Sequence, residues 1–409
     1  MKRSILFLLA ACAVGAAETR PAWFVDPVLQ TRLGFDTNPV AVGGSAAPVL
    51  GTSDALTFSA GLSFALATPA PKAGQPSGKL TYAGETFQFD GWSGENYTTH
   101  RLGASGQTTA GNWRLSADAS ALLVDGNRDT LLSIATCNAN ATALWRERRA
   151  QWQHRLKALA QYESGALVFR ASGSLLAYDY LTHVVAGHAT FANRSDLLGG
   201  TDLGWKQSAR SLWFVGLRAG EQHQDTLPVT GGQFEYSNNY WRTLAGWEGK
   251  LGSGTTLTFA AGPDFRHFAG NVDSRVFSGR DRTSLWFEGN FATKVNARLT
   301  LTGKVSRWVW LSSTGKSAYI DASGETAVVW TLDPRTSLRA TCKLHQCAYY
   351  PTVRNDWECL TGVGVTYKLS ARTQLTGDVL VHRGWNELTA GTERNFSRQV
   401  FNVGVVVKL

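Results

Sequence analysis

The chain closes on Phe401-Asn402-Val403-Gly404-Val405-Val406-Val407-Lys408-Leu409. In an extended segment side chains alternate between two faces. Phe401, Val403, Val405, Val407 and Leu409 therefore share one face, and Asn402, Gly404, Val406 and Lys408 share the other. One face is wholly apolar and the other mixed. A soluble sheet and a membrane-facing sheet both fit this pattern, so the rest of the chain must decide.

The opposite end carries an export signal. Lys2 and Arg3 form a charged start, residues 5–11 a short apolar run, and Val14-Gly15-Ala16-Ala17 a small-residue cleavage site. The run falls short of the ~20 residues that a transmembrane helix needs. Leu9-Ala10-Ala11-Cys12 also reads as a lipobox, with Cys12 lipidated. The expected organisation is a signal over 1–17, a lead-in over 18–26 and one body over 27–409. Length alone would suggest two or three domains of roughly 150 residues, but alternation and turn signals run on from Pro27 to Leu409 without a linker.

Composition narrows the class. The mature chain has no apolar stretch long enough for a membrane-spanning helix, which excludes a helical membrane protein. A content of 42 Gly, 15 Trp, 19 Phe and 11 Tyr against one Met suits β structure with aromatic anchors.

The strands repeat the terminal pattern. In 54–67, Leu56, Phe58, Ala60, Leu62, Phe64 and Leu66 oppose Thr57, Ser59, Gly61 and Ser63. The same split recurs over 112–124, 281–295 and 298–308. Segments of about ten residues with one apolar and one polar face are the signature of a transmembrane barrel. Short turns near residues 111, 165, 209, 253, 296, 334 and 371 alternate with longer polar connections, apart from an early Pro- and Gly-rich connection over 68–77. The pattern predicts an all-β fold: a single antiparallel transmembrane β-barrel of about 18 strands (16–18), with short periplasmic turns and long extracellular loops. The irregular run Leu80, Tyr82, Phe87, Phe89 suggests a bulge in the strand over 78–90.

Aromatic rings should mark the two membrane boundaries. Trp113, Trp205, Trp247, Trp330 and Tyr367 sit beside short turns, and Trp308 and Trp357 beside long loops; all seven are expected in the girdles.

The other face of each strand should line the lumen. It carries Arg32, Arg101, Arg114, Arg155, Arg170, Arg218, Arg242, Arg282, Lys294, Arg298, Lys304, Arg339 and Arg372, with fewer acids, among them Asp36, Glu85, Glu248 and Asp321. The formal charge is +9. A basic aqueous tube concentrates anions; the same charges can instead pair across strands and stiffen the wall. The segment 134–150 could fold inward as a plug or remain an outer loop, where Arg146, Arg148 and Arg149 would meet lipopolysaccharide phosphates.

Cysteine and histidine add little at this stage. Cys347 and Cys359 flank one predicted hairpin loop, yet strict alternation puts them on opposite faces unless a bulge intervenes. Cys342, His345 and Cys347 invite a metal reading that alternation also splits between faces. His183 and His188 with Asp179 and Asp196 form the only local acid–base group, read as ordinary loop residues. No Gly-x-Ser-x-Gly, His-Glu-x-x-His or Walker pattern occurs, so no catalytic residue, metal or cofactor is expected and the chain is not read as an enzyme.

An exported chain with this terminal strand resembles Gram-negative outer-membrane β-barrels, whose last strand is read by the insertion machinery; the family's usual terminal aromatic is Leu409 here. Leu33-Gly34-Phe35-Asp36-Thr37-Asn38, at the end of the first strand, resembles the porin-type barrels associated with exopolysaccharide systems. A basic lumen of this size is also similar to alginate-export channels, from which no site is carried over. The resemblance implies an outer-membrane porin-like channel passing small solutes or anionic molecules, with a link to exopolysaccharide export. Its partners would be the lipid bilayer, lipopolysaccharide, the insertion machinery and an anionic solute or polysaccharide, with no nucleic acid. A structural barrel with an occluded lumen is the alternative, and an outer-membrane hydrolase a third.

Overall fold

The computed structural model describes residues 21–39, 54–68, 75–126, 149–181, 191–225, 236–269, 280–312, 318–350, 354–388 and 395–409. The signal over 1–17 with Cys12, nearly all of the expected plug, and His183 and His188 lie outside the described residues.

Among the described residues eighteen strands follow in chain order. They are β1 (Phe24–Asp36), β2 (Ala55–Ala67), β3 (Ser77–Phe89), β4 (Tyr97–Ala110), β5 (Trp113–Asp125) and β6 (Gln151–Ser164). Next come β7 (Leu167–Tyr180), β8 (Arg194–Ser208), β9 (Ser211–Gln224), β10 (Asn238–Leu251), β11 (Thr255–Phe268) and β12 (Asp281–Lys294). The last are β13 (Leu299–Leu311), β14 (Ala318–Thr331), β15 (Thr336–Tyr350), β16 (Arg354–Lys368), β17 (Thr373–Leu388) and β18 (Phe396–Lys408). Each pairs antiparallel with its sequence neighbours, and β1 closes on β18 from Val28 opposite Lys408 to Asp36 opposite Val400. The closing strand β18 contains the terminal alternation of Phe401, Val403, Val405 and Val407 on one face. Closure matters because hydrocarbon offers no water to satisfy a sheet edge.

The outer face is apolar and exposed: Leu33, Leu56, Leu203, Val215, Val363 and Val403 all project from it, Val403 at 68% exposure. Such a surface is stable only against lipid. Aromatic rings cap it near the turns, as in the pairs Trp113–Tyr162 (5.1 Å) and Trp213–Trp247 (6.4 Å), and near the loops in Trp357–Trp385 (6.1 Å). A closed, even-stranded barrel with this band defines the class: the chain is an outer-membrane β-barrel.

Three details differ from expectation. The strand β3 runs in unbroken register with β2 and β4 and has no bulge; Phe87 and Phe89 simply face the lumen. The early irregularity lies instead in β1, between Val25 and Val28, where Asp26 takes φ 51° beside Pro27. Strand pairing already begins at Phe24, opposite Leu66, inside the span read as a lead-in.

The short turns are built by local chemistry. Gly111 and Gly165 hold positive φ, 57° and 58°, which favours glycine. In the β14–β15 turn Asp333 Oδ1 accepts the Arg335 and Thr336 amides at 2.7 and 2.9 Å. Those donors hold its carboxyl below the ordinary carboxylate value. A depressed carboxyl contributes its stability above the unfolded-state pKa and loses it as pH falls through the folded one. We expect the Arg335 and Thr336 amides to lose exchange protection in that acid window, after correction for intrinsic chemistry, and Asp333→Asn to remove the step. Unchanged protection through the window would contradict this.

The β12–β13 ladder stops short. β12 and β13 pair only from Phe287 opposite Arg307 down to Lys294 opposite Thr300, although β12 pairs with β11 up to Asp281 and β13 with β14 up to Leu311. The long-loop end of β13 has left β12. The Arg307 side chain donates to the Leu285 carbonyl beside the parting.

Candidate channel constriction

The departed end of β13 crosses the bore. Gln222 Nε2 of β9 donates to the Val309 carbonyl at 3.0 Å, Gln224 to that of Ser312, and Arg194 of β8 to that of Leu311. Around the wall β13 is four strands from β9, about 20 Å at the normal strand spacing. Direct contact therefore requires the β13–β14 hairpin to lean inward. Val309 and Leu311 are two apart, so their carbonyls share one edge, the edge that β12 vacated. Polar side chains from the far wall replace the missing ladder.

Packing locks the lean. Leu311 and Ala318 have the outward parity of their strands, yet both are fully buried in a cluster with Tyr236 and Phe268. On the hairpin's other face Trp310 meets Tyr178 of β7 at 6.2 Å, and the Arg194 guanidinium lies 4.9 and 5.1 Å from those two rings.

Beneath the hairpin the wall of β8–β11 holds a dense polar cluster. Asp264 and Arg266 are fully enclosed and paired at 3.0 Å, and Arg242 reaches Asp264 at 3.3 Å. Arg266 Nη1 donates to Gln222 Oε1 and Asn238 Oδ1, both at 2.8 Å. Tyr240 donates to Asp196 at 2.6 Å and offers its ring to Arg242 and Arg266 at 4.3 and 4.4 Å. Gln222 joins cluster to hairpin, since its Nε2 also donates to Asp196 at 2.8 Å. Buried charges at this density persist only when paired and hydrogen-bonded.

A second network lies toward the short turns. Arg170 grips Glu248 in a two-pronged pair at 2.6 and 2.8 Å and donates to Gln161 at 2.8 Å. Arg218 pairs with Asp202 at 2.7 Å, and Lys206 with Glu163. On the opening strand Asp36, from the Asp-Thr-Asn motif, accepts Arg398 Nε at 2.9 Å across the barrel seam.

Three further lumen cations are solvated. Arg101 of β4, Arg114 of β5 and Arg155 of β6 face the bore, exposed, and no ion pair holds them among the described residues. The register puts Arg101 opposite Leu122 and Arg155 opposite Ser120, with Arg114 eight and six residues closer to the short turns than those two levels.

Of the residues expected in the lumen, Arg32, Arg101, Arg114, Arg155, Arg170, Arg218, Arg242, Arg282, Lys294, Lys304 and Arg339 lie on inward-facing strand positions. Arg298 and Arg372 lie in short turns at the rim, where Arg298 donates to the Leu332 carbonyl. Trp113, Trp205, Trp247, Trp330, Trp357 and Tyr367 are on the outer face. Trp308 is the correction: it pairs with Asp321 on the inner face, because β13 turns its even positions inward. Cys347 and Cys359 are free; unbroken register leaves the first on the inner face opposite Asp356 and the second on the outer face opposite Leu344. Sequence reasoning passed over Arg194, Gln222, Gln224 and Arg266. Alternation marked them as inward, but nothing local said that a distant strand would lean on them.

No family model matches the chain, and no curated protein matches it. Among solved structures it is similar to Pseudomonas aeruginosa OccK2 (OpdF), crystallised with glucuronate, at 13% identity and TM-score 0.45 over 94% of this chain and 98% of that one. Pseudomonas aeruginosa OpdO is similar at 12% identity and TM-score 0.45, over 94% and 96%. The copper transporter OprC is similar at 9% identity and TM-score 0.45, over 95% and 81%. The architecture of this chain rests on its own strand register.

Proposed function

We propose that the barrel is a channel for small anionic solutes, narrowed at its long-loop end by the inward β13–β14 hairpin. The observation that carries the reading is the exposed set Arg101, Arg114 and Arg155 on neighbouring lumen strands, with no carboxylate paired to it among the described residues. Paired guanidiniums mainly hold wall together. Solvated ones inside a low-dielectric tube raise the local anion concentration and retard cations.

An acidic polysaccharide, the cargo suggested by the opening motif, would meet the same arginines. The cross-bore contact favours short solutes over a continuous polymer. A structural barrel with a closed lumen is the second reading, favoured by that same contact.

Replacing Arg101, Arg114 and Arg155 together by glutamine is expected to move the reversal potential in a salt gradient toward cation preference without changing heat-modifiable mobility. An unchanged reversal potential would remove these arginines from the selectivity account.

A further inference from the structure

We propose that the inner wall of β14 and β15 carries a site for a borderline divalent transition-metal cation, with Zn2+ as its representative, held by Asp321, His345 and Cys347. The strand register creates it. His345 and Cys347 are two apart on β15 and share the inner face, and Asp321 of β14 lies directly opposite Cys347. The third candidate from the sequence, Cys342, has the other parity and is exposed on the outer face. Alternation splits the original trio, and Asp321 replaces the lost member.

The spacing suits a metal. His345 Nε2 lies 3.2 Å from Asp321 Oδ2 and 3.4 Å from Cys347 Sγ, and all three donor atoms fall within 4.8 Å of one another. Bonds of about 2.0–2.3 Å to a tetrahedral Zn2+ put neighbouring donors roughly 3.3–3.7 Å apart. Two of the three spacings are close to that before any movement.

The ring is also presented correctly. Glu358 of β16 stands opposite His345, with Oε2 3.7 Å from Nδ1. A carboxylate on Nδ1 keeps the proton there and leaves the Nε2 lone pair for the metal. His382 of β17 faces the same carboxylate oxygen at 3.9 Å. Cys347 is 5% exposed and packs with Trp310 and Tyr319.

Thiolate, imidazole and carboxylate together select zinc-like cations over Mg2+ and Ca2+, which take oxygen donors. Binding forms the metal–sulfur and metal–nitrogen bonds and releases two protons to solvent, one from the Cys347 thiol and one from His345 Nε2, which faces Asp321 in the metal-free site. Three protein donors leave a fourth position for water or a solute, the arrangement of an exchanging site rather than a closed structural one.

The test uses the mature barrel refolded in detergent, whether or not it conducts. Co2+ should produce a thiolate-to-cobalt charge-transfer band that excess Zn2+ removes. Cys347→Ser should lose the band, and the outer-face double variant Cys342→Ser/Cys359→Ser should keep it. Glu358→Gln should weaken Zn2+ binding about tenfold, as loss of a carboxylate behind a metal-bound histidine does. On the unaltered protein, Zn2+ should shift the NMR signals of His345 and Cys347 and leave those of the outer-face Cys342 and Cys359 in place, which decides the matter even where a variant fails to fold. Absence of the band, its survival in Cys347→Ser, or unchanged His345 and Cys347 signals at saturating Zn2+ would overturn the assignment.

Discussion

Arg194→Ala, Gln222→Ala and Gln224→Ala combined should raise single-channel conductance several-fold. The three side chains are the polar tethers between the far wall and the edge of β13. A neutral hydrogen bond contributes about 0.5–1.5 kcal/mol net and a charged one about 1.5–3. Together they supply roughly 3–5 kcal/mol, enough to shift a two-state hairpin by two orders of magnitude or more. Freed of them, β13 can return to β12, whose edge above Phe287 is unpaired with it. The Leu311–Phe268 packing opposes that return, so Gln224→Ala alone should give a small rise with brief openings. Unchanged conductance in the triple variant, with the barrel intact by gel mobility, would show that the hairpin does not set the bore.

Arg266→Ala should be the most destabilising single change in the wall, by about 3–5 kcal/mol, the usual cost of leaving one member of a buried ion pair alone. Asp264 has no solvent exposure, and Arg266 is its closest cation; Gln222 and Asn238 each lose the Arg266 donor in the same step. Arg266→Lys should rescue little, because one ammonium cannot reproduce the fork that serves Asp264, Gln222 and Asn238 together. The double change Arg266→Met/Asp264→Leu should recover much of the loss, since an apolar pair of similar volume avoids the desolvation of both charges. Folded fraction against urea, read by mobility shift, measures all three. A single-variant cost below about 1 kcal/mol would place the cluster among weakly contributing surface pairs.

How far the sequence could be read follows from the range of each interaction. Alternation is local and strong, so Leu56 through Leu66 and Phe401 through Leu409 disclosed their faces, and the turns disclosed the strand number. The face of a residue is not its environment. Nearness to a loop suggests a girdle position for Trp308, whereas its parity with Ser306 and Glu288 puts it inside. Leu311 and Ala318 have lipid-facing parity but are buried, because the hairpin carrying them folds over the inner wall. The lumen site depends on contacts such as Gln222 to Val309, between residues 87 apart in the chain. No local pattern encodes that pairing. The Asp321–His345–Cys347 group is hidden for a related reason: the Cys-x4-Cys spacing lies along one strand, whereas the sheet assembles the donors across two.

The reversal potential of the refolded barrel in a planar bilayer under a salt gradient tests the central claim most directly. The proposed anion channel predicts a small conductance with anion preference, set by the solvated arginines Arg101, Arg114 and Arg155. Cation preference, or no conductance from protein shown to be folded, would contradict a channel for anionic solutes.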